Sequence, residues 1–184
     1  MLDSSDTIEQ EVILKRDWRF PAYERVKGRL FHRTTCLGLN GILSSGEIRP
    51  NIGSFPLSFP RSRVSYGFRN ACISLFDFED TSEAEQIQTF LIWNNLIGQM
   101  GKTFFLLTLN SQQLRPDLIS SRLAPQPGQP NYGGCMRPIE SWCPHPISLD
   151  LVQELVVVSY TDAQPAICSF ELPEIYKALD RCLL

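Results

Sequence analysis

GRLFHRTT, residues 28–35, closes an otherwise apolar strand candidate with a histidine, an arginine and two threonines. His32 is one of only two histidines in the chain. An imidazole can hydrogen-bond a hydroxyl or a phosphate and changes charge near neutral pH. Far downstream, Glu140 follows Arg137 and Ile139 and precedes Trp142, in a stretch too apolar for an incidental surface acid. Between them, RSRVSYGFRN sets Tyr66 beside a glycine, with Arg61, Arg63 and Arg69 around it. The guanidinium groups could hold phosphate through bidentate bonds, and a carboxylate in so apolar a segment is a candidate for chemistry.

Each residue also has a structural reading. Most glutamates are solvated or ion-paired. A histidine at a strand end commonly bonds to a turn carbonyl, a tyrosine beside glycine commonly packs, and a strand serine such as Ser74 is commonly satisfied by backbone. Other constellations carry less. Cys135, Cys143 and His145 match no standard zinc spacing, and local sequence does not bring a cysteine nucleophile to His145. Asp77, Glu79 and Asp80 in FDFED read as acids at the N-terminal end of the next helix's dipole, not as a magnesium site. Neither GxxxxGK[ST] nor GxGxxG occurs. No metal site is expected.

The elements that must hold these residues follow from periodicity and breakers. Residues 5–19 read as a short helix stopped by Pro21, part of an N-terminal helical extension over 1–27 that precedes a domain at 28–184. Residues 28–33 form a strand. Thr34 or Thr35 caps a helix with Leu39, Ile42 and Leu43 on one side, and Gly46 gives a left-handed exit. Residues 50–70, with three prolines and two glycines, form a candidate binding loop. ACISLFDF alternates as a strand, Asp80 or Thr81 opens a helix over EAEQIQTFLIWNNLIGQ, and KTFFLLTL is a buried strand. Residues 111–137 are loop-like; IESW is a short strand broken by CPHP. LDLVQ is at most a helical turn, ELVVVSY a strong strand, AICSFEL another candidate, and EIYKALDRCLL an amphipathic helix. Short strands with few helices point to an α+β fold.

The 184 residues suffice for a real core, and a net charge of −3 argues against a broad electrostatic grip on nucleic acid while leaving room for a local basic patch. Six cysteines without a CxxC pair, several inside apolar runs, suggest free thiols in a reduced, cytoplasmic setting. MLDSSDTIEQEVILK has no signal-peptide apolar region, and no run approaches the ~18 apolar residues of a membrane helix.

Taken in order, LFHRTT, GLNGIL, SSG, IRPN and finally IESWCPHPISLDLVQELVVV resemble the ADP-ribosyltransferase fold, in particular its DarT-like, DNA-modifying toxin branch. The resemblance spans most of residues 29–159, with sparse identities; the chain lacks both a dense basic face and the STS and ExE triplets of arginine-specific members. It implies a split mixed β-sheet with short flanking helices, NAD as co-substrate, and transfer of ADP-ribose to a nucleic-acid (DNA or RNA) or protein acceptor. It also implies a bacterial toxin or phage-defence role, with a neutralising antitoxin or other protein as partner. Glu140 would serve the ribose 2′-hydroxyl and the developing cation. His32 would orient the dinucleotide, with Arg33 and Thr34 lining the cleft. Tyr66 would stack on nicotinamide, Arg69 would hold phosphate, and Ser74 would lie near the carboxamide. Two alternatives stay open: a non-catalytic nucleotide- or peptide-binding module, and an RNA 2′-phosphotransferase.

Overall fold

The computed structural model describes residues 20–55, 63–95, 103–123, 125, 139–160 and 165–170. The expected helices over 5–19 and at 174–184 lie outside these residues. A first helix, α1 (Phe20–Val26), carries Pro21 in its opening turn, where a missing N–H costs nothing. Pro21 therefore suits the start of this helix; the earlier helix that it was expected to stop lies outside the described residues. Strand β1 (Leu30–Thr34) follows, then α2 (Cys36–Ser45) and the two-residue β2 (Glu47–Ile48). Thr35 is the cap of α2, its hydroxyl accepting from the Gly38 N–H, and Gly46 ends the helix at φ 75°. Of the two cap candidates, Thr34 instead lies within β1.

A single helical turn, α3 (Tyr66–Arg69), sits within the stretch expected to be irregular. Ser65 makes it possible, accepting from the Phe68 N–H. Strand β3 (Ile73–Asp77) leads to α4 (Glu83–Asn95). The start of α4 is a reciprocal Ser82–Glu85 pair, so Ser82 opens the helix, not Asp80 or Thr81. After β4 (Thr103–Leu109) come α5 (Ser111–Leu114), a 3-10 turn at Arg115–Asp117 and the short β5 (Ile119–Ser120). These replace the plain loop expected from residue 111 onward. The chain continues through β6 (Glu140–Cys143), β7 (Ile147–Ser148), β8 (Val152–Tyr160) and β9 (Pro165–Phe170).

Seven strands form one sheet in the order β5-β6-β3-β1-β4-β8-β9, and β2 pairs with β7 apart from it. Every recorded strand pair is antiparallel. The fold is α+β, as expected; the parallel pairing of a mixed sheet is not found among the described residues. Partners in register share a face, and this separates two cores. Leu30, Leu75, Phe105, Leu107 and Leu155 meet Leu39 and Ile42 of α2 on one face. Phe31, Phe76, Phe104, Leu106 and Val156 meet Tyr23 of α1 and Ile87 and Phe90 of α4 on the other. Ala22, Tyr23 and Val26 are buried in that second core, so α1 packs on the sheet.

The sheet is forked at its centre. The β1–β3 ladder holds only two registered pairs, Leu30↔Asp77 and Phe31↔Phe76. On its other side β1 stays paired with β4 through Thr34, and β3 stays paired with β6 back to Ile73. Beyond Phe31 the two strands part.

Candidate functional site

His32 stands at the point of parting. Its Nδ1 lies 3.0 Å from the Ser74 carbonyl oxygen. A carbonyl only accepts, so Nδ1 carries the proton and Nε2 presents a lone pair. Burial holds the imidazole below its ordinary pKa, with the bond to Ser74 opposing part of that shift. The side chain thus replaces a backbone bond that the ladder no longer makes, on a carbonyl of strand β3 where a turn carbonyl was expected.

Glu140 opens β6 and is 6 % exposed. The Trp142 indole Nε1–H donates to its Oε1 at 2.9 Å. Two residues apart on a strand, both side chains lie on one face, the face that carries Phe76, in register with Glu140, and Ser74, in register with Trp142. The Tyr66 ring packs on the Trp142 ring with centroids 4.1 Å apart and planes at 35°. Burial, and secondarily the Cys72 thiol, raise the Tyr66 phenol above its ordinary range. Gly67 is what lets α3 come so close. A β-carbon there would stand 2.4 Å from Ser74 Oγ and 3.3 Å from Trp142 Cδ1. Four residues singled out by sequence therefore gather at the fork: Glu140, Tyr66 and Ser74 around Trp142, with His32 touching the Ser74 backbone.

The others are placed differently. His32 is in register with Leu107, and Glu140 with Phe76; the imidazole and the carboxylate thus leave the sheet on opposite faces, and only the reach of His32 between the strands relates them. Arg33 is on the Glu140 face, but its guanidinium leans toward β4, 4.7 Å over the Phe104 ring. Thr34 is buried, and its hydroxyl occupies the space a Gly38 side chain would need, so it packs α2 on β1. Arg69 is exposed at the last turn of α3. Arg61 lies outside the described residues, as do Cys135 and Arg137.

Behind Glu140, on the opposite face, Ser141 Oγ donates to Asp77 Oδ2 at 3.1 Å. Arg115 binds the same carboxylate through both terminal nitrogens, at 2.5 and 3.3 Å, and also reaches Glu79 at 2.6 Å and Asp80 at 3.3 Å. The acids of FDFED thus gather around one arginine as well as preceding a helix. Their hydrogen bonds push the guanidinium pKa upward. A recess of about 140 Å³ lies there, lined by Asp77, Arg115, Ser120, Arg122 and Ser141. No group of three or more potential metal ligands occurs among the described residues; Cys143 donates its S–H to the His145 carbonyl. Cys36, Cys72 and Cys143 are free thiols. No helix among the described residues is long and apolar enough to cross a membrane.

Sequence reasoning passed over Trp142 as a site residue, treating it as apolar context. Its signal was the Glu-x-Trp spacing on a strand, which sets a donor and a carboxylate side by side. Comparison of the chain with protein-family models, with characterised proteins and with solved structures finds no match.

Proposed function

We propose that the protein is an NAD-dependent ADP-ribosyltransferase acting at the sheet fork, with a nucleic-acid or protein group as acceptor. The observation that carries this reading is a buried carboxylate, Glu140, fixed by an indole N–H beside an aromatic pair. In the reaction, the bond between the ribose C1′ and the nicotinamide nitrogen breaks, and its electron pair leaves with neutral nicotinamide. The ribosyl cation that develops is the species a fixed anion stabilises. The acceptor then bonds C1′ and loses its proton. Glu140 serves the cation and the 2′-hydroxyl and Tyr66 offers an aromatic wall on the same face, while His32, on the other face, acts only through its bond to the Ser74 carbonyl. A toxin or defence role, and a neutralising partner, belong to the same proposal.

The test mixes purified protein with NAD and follows nicotinamide release and label transfer to DNA, RNA and protein. Glu140→Gln keeps an oxygen for the Trp142 indole and removes the charge. Release is expected to fall by about 100-fold or more, the usual scale for a lost electrostatic group. Undiminished release in that variant overturns the role of Glu140. NAD that raises the melting temperature without any release turns the reading into the binding-module alternative.

A further inference from the structure

We propose that Trp142 is a positioning residue that fixes the Glu140 carboxylate and ties it mechanically to the Tyr66 ring. The inference rests on the reaction just proposed and assigns it a part that the sequence motifs do not contain. Trp142 is completely buried, so its N–H has no water to fall back on and is satisfied by Glu140 Oε1. A charge-assisted bond of this kind fixes the plane of the carboxylate and favours its ionised form. The same indole carries the Tyr66 ring on its face. Gly67 and Ser74 close the packing around it, and β6 is held from behind by Ser141 on Asp77. One side chain thus sets both the anion facing the ribose and the wall beside it. A displacement of α3 is passed to the carboxylate through a rigid ring, with no flexible linker between.

Trp142→Phe removes the N–H and keeps an aromatic ring. Fully positioned, the variant should release nicotinamide with kcat lowered about tenfold or more while KM changes less than about threefold. The acid limb of its pH–rate profile should move to higher pH, because the carboxylate loses the donor that favours its charged form. A merely structural tryptophan would lower the melting temperature without moving that limb. The independent arm uses no NAD: in protein labelled with 15N-tryptophan, the indole signal lost in Trp142→Phe should titrate with pH in the wild type and stop titrating in Glu140→Gln. An indole signal indifferent to Glu140→Gln, or an unmoved acid limb with kcat intact, overturns the positioning role. A titrating indole in a wild-type protein that releases no nicotinamide overturns the reaction and confirms the bond, so the two failures are told apart.

Discussion

His32 gives a pH dependence whose sign is fixed by its bond. The folded ring is held below its ordinary pKa near 6.5, so below that pH the unfolded chain binds more protons than the folded one. Its contribution to stability is therefore full above about pH 6.5 and is lost as the pH falls. Melting temperatures measured from pH 7.5 to 5.5 should decline in the wild type. They should decline less in His32→Gln, whose amide can donate the same bond to Ser74 without titrating. The bland reading of this residue, a histidine satisfied by a carbonyl, describes its Nδ1. A ligand role could belong only to Nε2. The sequence could suggest either because it shows the residue type and not which nitrogen is engaged.

Among the elements, α3 has the least room for change. Gly67→Ala would bring a methyl within 2.4 Å of Ser74 Oγ and 3.2 Å of the Cys72 carbonyl. Overpacking of this kind costs about 1–3 kcal/mol, and urea unfolding should show it. Adding Ser74→Ala should recover part of the loss and not all, since the carbonyl contact remains. Prolines and glycines over 50–70 mark an irregular stretch correctly at 51–55, but one helical turn needs only a cap, and Ser65 looked like any loop serine. The elements with long periodic signals were legible: α2 with its Thr35 and Gly46 ends, β4, and β8. The cap of α4 was missed because three polar residues in succession, Asp80, Thr81 and Ser82, have the right chemistry, and only the reciprocal bond with Glu85 chooses among them. Which strands neighbour which was not legible at all. Pairing between strands far apart in sequence leaves no local trace, so the meeting of Ser74 with Trp142 had to be seen.

For the whole molecule, the second core depends on the short helix α1. Tyr23 is completely buried and meets Phe90 edge-on at 5.5 Å. Lys27 pairs with Glu83 of α4, and Arg29 reaches Glu154 of β8 at 2.5 Å. Tyr23→Ala should cost about 3–5 kcal/mol, as for other large aromatic truncations, a large share of the stability of a domain this size. A chain beginning at residue 28 should show no cooperative unfolding transition.

The narrow join between β1 and β3 has a mechanical consequence. Along that line, among the described residues, the wing made of β5, β6 and β3 meets the wing made of β1, β4, β8 and β9 through two registered pairs, the Phe78 N–H on the Arg29 carbonyl, and the His32 imidazole on Ser74. The sheet is thus stiff along each wing and compliant along one seam. A molecule lodged in that seam would act as a spacer with a grip on either side, and the Glu140 carboxylate would travel with one wing while the imidazole travelled with the other. Spacing between acid and imidazole would then be set by how far the seam is held open, which makes the bulk of the occupant itself a determinant of alignment.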